Sequence, residues 1–78
     1  MQTVEYKILP KYYMEILLNN KNFELRKDEH NIQPGDVIRL IEHDGERYTG
    51  CWLCRTVRYV LRSVPEYGLM PGYCIIGF

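Results

Sequence analysis

The sequence has no excess of either charge: ten lysines and arginines balance ten aspartates and glutamates. A protein that neutralises many phosphates normally carries a basic surplus, so a long contiguous footprint on nucleic acid is excluded. A nucleic-acid site here has to come from segregation of charge rather than from its total. Long hydrophobic runs are also missing. The apolar stretches are a few residues each, against about 20 needed to cross a bilayer, so no membrane partner is expected. The opening segment, MQTVEYKILP, has no basic stretch followed by an apolar one; without that signature of secretion the expected compartment is the cytoplasm. Cysteine is scarce and odd in number, Cys51, Cys54 and Cys74, which predicts free thiols in a reducing compartment rather than a disulfide framework. There is no phosphate-cradling glycine loop, internal repeat, low-complexity segment or linker, so residues 1–78 form a single domain. At 78 residues such a domain buries only about 60 % of its unfolded surface, and its core is small.

What is present reads as short strands and one early helix. In TVEYKIL, residues 3–9, Val4, Tyr6 and Ile8 alternate with Glu5 and Lys7, the period of a strand with one buried face. Pro10 opens KYYMEILLNN; proline suits the first helical position because its missing N–H has no intrahelical partner there. Tyr13, Ile16 and Leu17 share one helical face. Asn19 and Asn20 end the helix, since asparagine tolerates the left-handed conformation of a C-terminal cap. NFELRK alternates again and predicts a second strand, with Phe23 and Leu25 toward the core and Glu24 and Arg26 opposite. Pro34-Gly35-Asp36 is a turn, VIRLIEH a strand, and Asp44-Gly45 a hairpin turn. RYTGCWLCRTVRYVLRSV is too long for one regular strand, and Gly50 is the expected bulge or bend. A loop, EYGLMPG, precedes a last strand, YCIIGF. Five or six strands with one short N-terminal helix predict a mainly β (α+β) fold, closed as a small barrel that hides its edges.

The chemistry-bearing residues are few. Cys51-x-x-Cys54 has no second cysteine or histidine pair at zinc spacing, and on a strand its two members point to opposite faces. With His30 and His43 in or near loops, neither a metal nor a cofactor is expected. Arg47, Arg55, Arg58 and Arg62 occupy a segment without an acid, while acids concentrate in residues 24–46. Seven tyrosines can stack on bases or serve as a rim with the ring inside and the hydroxyl wet. The sharpest cluster lies in NNKNFELRKDE, residues 19–29. An arginine beside a carboxylate is held as a fixed fork that recognises planar or anionic groups, and a lysine beside one is a point charge or a base.

That cluster carries a resemblance. The ASCH (activating signal cointegrator homology) family of the PUA-like superfamily has the hallmark Gly-x-Lys-x-x-Glu-x-Arg just after its first helix. Here N-N-K-N-F-E-L-R, residues 19–26, supplies Lys21, Glu24 and Arg26, with Asn19 at the glycine position. KILPKYYMEILL, QPGDVIRLIEHDGERYTG, VRYVLRS and GYCIIGF are similar to the family's other segments. The sequence therefore resembles the small single-domain bacterial and phage branch of that family over nearly its whole length.

The resemblance implies a PUA-like β-barrel whose cleft binds RNA, a nucleotide or a modified base with a weak or short footprint. The nucleic-acid-binding residues it implies are Lys21, Glu24 and Arg26, to which the sequence adds Lys27. Tyr12, Tyr48 and Tyr73 are the stacking candidates. It also implies an alternative. Some ASCH-fold proteins resemble small amidohydrolases acting on N4-acetylcytidine, with a lysine, a threonine and a glutamate. Lys21 matches the lysine, Glu24 stands at the threonine position, and the helical insertion that carries the glutamate is replaced by VPEYGLMP, which contains Glu66. On that alternative Lys21 and Glu24 are the catalytic pair.

Overall fold

The computed structural model describes all 78 residues. Six strands and one helix follow in the order β1 (Thr3–Ile8), α1 (Pro10–Leu17), β2 (Phe23–Lys27), β3 (Val37–His43), β4 (Tyr48–Thr56), β5 (Tyr59–Arg62) and β6 (Tyr73–Gly77), with a single 3-10 turn at Pro65–Tyr67 before the last strand. They make two three-stranded sheets, ordered β1-β3-β4 and β2-β6-β5. β1 runs parallel to β3, and every other pair is antiparallel. The mainly β, α+β reading therefore holds, but neither sheet closes into a barrel. The long β-rich segment bends rather than continuing: it leaves the first sheet at Thr56 and enters the second at Tyr59. Val57 makes the corner, its N–H bonded to Asp36 O at 2.8 Å and its carbonyl accepting from Gly35 N at 2.9 Å. With that corner as the junction, the sheets face each other across a core and leave the far end open.

The core is Val4, Ile8, Ile38, Leu40 and Leu53 from the first sheet, Cys74 and Ile76 from the second, Ile16 from the helix, Ile32 from a loop and Val57 at the corner. Val4 and Ile8 are buried and Tyr6 half-buried, as the alternation in β1 requires. On α1 the buried stripe is narrower than its spacing predicts: Ile16 is buried and Tyr13 half-buried, but Leu17 is exposed. In β4 the expected irregularity is at Gly50, whose φ of 93° accompanies a register shift opposite Ile41 and His43. Such a φ is one that a side chain disfavours.

β2 has the predicted period and the opposite phase. Glu24 is buried while Phe23 and Leu25 are exposed. The pairing explains it: Glu24 lies beside Ile76 and Arg26 beside Cys74, both core residues of β6, whereas Phe23 and Leu25 lie beside Gly77 and Ile75. Glu24 and Arg26 thus point between the sheets, toward their open end, while Phe23, Leu25 and Lys27 point out.

The Pro34-Gly35-Asp36 turn is tied to the N-terminus. The Asp36 carboxylate accepts from Gln33 N at 2.9 Å, Gln2 N at 3.1 Å and Gln2 Nε2 at 3.2 Å. These bonds, the Gln33 and Gln2 amides first, hold its pKa below the ordinary carboxylate value. A folded-state pKa below the unfolded one gives stability that is complete above the unfolded value and is lost as pH falls through the folded one. Wild-type stability is therefore expected to drop below about pH 4, and Asp36→Asn to lower stability at neutral pH while flattening that acid limb. Urea midpoints between about pH 6 and pH 2.5 check this; parallel acid limbs in the two proteins would refute it. No helix is long and apolar enough to cross a membrane.

Candidate functional site

The end of α1 sets the position of Lys21. Asn19 takes a left-handed φ of 61°. Asn19 N–H bonds Ile16 O at 3.0 Å and Asn20 N–H bonds Glu15 O at 2.9 Å, which is the paired closure of a Schellman cap. Lys21 N–H adds a second donor to Glu15 O at 3.1 Å. The chain leaves the helix with Lys21 fixed in front of the first residues of β2.

Glu24, 5 % exposed, is the centre. Lys21 Nζ donates to its Oε1 and, at 2.7 Å, to Phe23 O. On the other side Arg26 Nε and Nη2 lie 3.0 and 2.9 Å from its Oε2, and Arg26 Nη2 also donates to Lys7 O at 2.7 Å. The Arg26 guanidinium lies over the Tyr6 ring at 4.6 Å from its centroid, a cation–π contact that fixes its plane. Burial pushes the Tyr6 phenol up from its ordinary value. A buried carboxylate flanked by two cations satisfies the rule that buried charge must be paired. It also leaves donors over: one N–H of Lys21 and both of Arg26 Nη1 have no protein partner.

These groups floor a cleft of about 490 Å³ whose walls include Ile8, Leu9, Tyr12, Phe23 and Leu25, with Lys7 at its edge. Lys21 Nζ sits 5.0 Å from the Phe23 ring centroid and 5.6 Å from that of Tyr12. Three cations, Lys7, Lys21 and Arg26, against one carboxylate, Glu24, give the cleft a formal charge of +2. An apolar-walled cleft with a few convergent polar donors is the usual form of a small-ligand site.

Of the residues singled out from sequence, Lys21, Glu24 and Arg26 come together. Lys27 does not: its parity places it on the outer face of β2, opposite Tyr73, and it does not line the cleft. Tyr12 lines the cleft, whereas Tyr48 packs edge-on against His43 and Tyr73 lines a separate, smaller hollow. Glu66 lies in the 3-10 turn, outside the cleft. The arginines do not gather. Arg62 is spent on Asp28, with Nε–Oδ2 at 2.7 Å and Nη2–Oδ1 at 3.2 Å, and on Ile32 O at 2.8 Å. Arg55 caps Cys54 O on β4, and Arg47 and Arg58 are exposed elsewhere. No three histidine, cysteine or acidic side chains form a metal-binding group, and all three cysteines are free. Sequence reasoning missed Lys7, Leu9 and Tyr6; the signal available for Tyr6 and Lys7 was only their place on the strand preceding the helix.

Residues 3–78 match the family described as Domain of unknown function (DUF3850). No curated protein matches the chain. Because the family match takes in both sheets, the helix and the whole Lys21–Glu24–Arg26 cluster, the chain belongs to the DUF3850 family.

Proposed function

We propose that this is a PUA-like, ASCH-type domain whose cleft binds RNA, or a nucleotide or modified base, in the cytoplasm. One observation carries the reading: a buried Glu24 holds Lys21 and Arg26 side by side beneath the apolar walls of the cleft, with spare N–H donors on both cations. Fixed guanidinium and ammonium donors suit a phosphate or a base carbonyl, and Tyr12 and Phe23 offer faces for a planar ring. Glu24 orients the two cations rather than meeting ligand, since both its oxygens are taken. The zero net charge of the chain limits the footprint to a few phosphates.

The test is fluorescence anisotropy of short labelled single-stranded RNA and DNA over a salt series. Binding is expected with a slope of log K against log salt of about −1 to −2, as one to three neutralised phosphates give. Arg26→Ala is expected to weaken it by at least about tenfold, since a charge-assisted hydrogen bond contributes about 1.5–3 kcal/mol. No binding by the wild type, or a slope unchanged in Arg26→Ala, refutes the reading. The contact between Lys21 and Glu24 also supports the second reading, an amidohydrolase in which this pair moves a proton while water cleaves the N4-acetyl amide to acetate and cytidine. Release of acetate from N4-acetylcytidine, abolished by Lys21→Ala, would decide for it.

A further inference from the structure

The ionic floor of the cleft offers donors and no free acceptor. Both Glu24 oxygens are taken by Lys21 and Arg26, Phe23 O accepts from Lys21 Nζ at 2.7 Å, and Lys7 O accepts from Arg26 Nη2 at 2.7 Å. What is left over is one N–H of Lys21 and the two of Arg26 Nη1. A base edge that presents its own amino group meets these donors with a donor, whereas a phosphate meets them with acceptors only. The charge agrees. Lys21 and Arg26 against Glu24 leave one positive charge at the floor, and no other acid lines the cleft. Both cations are only partly exposed, and a charge held away from water calls for a counter-charge that a neutral base carbonyl does not bring. The phosphate of a bound nucleotide thus belongs at the floor, and its ring against Tyr12 and Phe23 on the walls.

The kind of phosphate follows from the edge and the size of the cleft. Lys7 is in no ion pair. Its ammonium rests over the Tyr48 ring, 5.8 Å from the centroid, an exposed cation–π contact weak enough to yield to a stronger partner. With Lys7 the cleft carries a formal charge of +2. An internal phosphodiester brings one negative charge. A terminal phosphomonoester brings about 1.5–2 at pH 7, with one more strong acceptor oxygen. A volume of about 490 Å³ is that of a site for one small ligand, and an internal phosphate at its floor would need room for chain on both sides. We propose that the cleft reads a terminal phosphate: the monoester at the end of a single strand, or on a free nucleotide, sits on Lys21 and Arg26, and Lys7 swings from Tyr48 to supply the second charge. The inference rests on the nucleotide reading of the cleft and deepens it, because internal phosphates and unphosphorylated nucleosides are then the poorer ligands.

The test titrates the 15N-labelled full chain with a mixed-sequence RNA tetranucleotide carrying a 5′-phosphate, a 3′-phosphate or hydroxyls at both ends. One of the phosphorylated forms is expected to bind at least about tenfold tighter than the hydroxyl-ended form, the fold-change of one charge-assisted hydrogen bond, with shifts at the Lys21, Phe23 and Arg26 amides. Lys7→Met is expected to reduce that preference about two- to fivefold and Lys7→Arg to keep it. Mixed nucleoside 5′- and 3′-monophosphates separate the two sources of the group. Binding as tight as that of the phosphorylated tetranucleotide assigns the site to free nucleotides and weaker binding assigns it to strand ends, the monoester being read in both. Equal affinity for the three tetranucleotides, or a preference unchanged in Lys7→Met, overturns the terminal phosphate while sparing the cleft as a nucleic-acid site. Inorganic phosphate that binds as tightly as the phosphorylated tetranucleotide overturns it too, since the floor is then a general anion site. Failure of every nucleotide form to bind overturns both readings.

Discussion

A Glu24→Ala protein is expected to melt roughly 10–25 °C below the wild type and to lose the proposed nucleotide binding in the same step. Glu24 is nearly buried, and both cations bonded to it are only partly exposed, Lys21 by 17 % and Arg26 by 26 % of their side chains. Removing the partner of a buried ion pair costs about 3–5 kcal/mol, because the remaining charge is left without compensation. Lys21 and Arg26 can each swing partly into water, which reduces the loss to about 2–4 kcal/mol. In a domain of this size each kcal/mol moves the melting temperature by about 4–8 °C. Glu24→Gln separates charge from shape: it keeps one acceptor oxygen and the volume, but its amide nitrogen faces a cation. Its melting temperature is expected between the other two and its binding near that of the alanine variant. Thermal melts by circular dichroism, with anisotropy at a temperature where all three remain folded, measure both effects. A Glu24→Ala protein that melts within about 2 °C of wild type and still binds would show that Lys21 and Arg26 are positioned by their own backbone contacts alone.

How much of this was legible in the sequence differs from one element to the next, for physical reasons. Val4 and Ile8 alternate with two charges, and a one-residue slip would put both in water, so β1 could be read in period and in phase. Gly50 and the Asp44-Gly45 turn were legible because left-handed backbone selects few residue types; Gly45 has φ 104°. β2 was read in period but not in phase. FELR alternates equally well either way round, and the ordinary preference for apolar residues inside chose wrongly. What reverses it is tertiary: a carboxylate with two cations satisfies its own burial, and β6 supplies Ile75 and Gly77 to the outer row. Barrel closure failed as an expectation because strand count fixes neither the corner at Val57 nor the open end that it leaves. The site triad was visible as a local spacing, whereas Lys7 and Tyr6 reach it only through the packing of β1 against Arg26.

Two core truncations of the same kind separate the fold from the site. Ile76 and Leu40 are both fully buried, and truncating either to alanine is expected to cost about 2–5 kcal/mol, lowering the urea midpoint in proportion. For a domain whose whole stability is on the order of 4–12 kcal/mol, that is a large fraction in each case. Their neighbours differ. Leu40, on β3, is paired with Tyr6 and Leu53, so it reaches the cluster only at one further remove, through the Tyr6 ring that lies against Arg26. Ile76, on β6, lies between Glu24 and Val60, so its side chain is part of the wall against which the Glu24 carboxylate rests. Ile76→Ala opens space beside that carboxylate and lets the Lys21–Glu24–Arg26 cluster relax, whereas Leu40→Ala opens space in the layer behind it. With affinities corrected for the unfolded fraction, Ile76→Ala is expected to weaken the proposed nucleotide binding several-fold and Leu40→Ala to leave it near wild type. Ile76→Val, which costs only about 0.5–1.5 kcal/mol, is expected to keep most of the affinity. If the Leu40 and Ile76 variants weaken binding equally, the cleft depends on the general rigidity of the two sheets. If they separate as expected, the inner face of β6 is the element that transmits core packing to the ionic floor of the cleft.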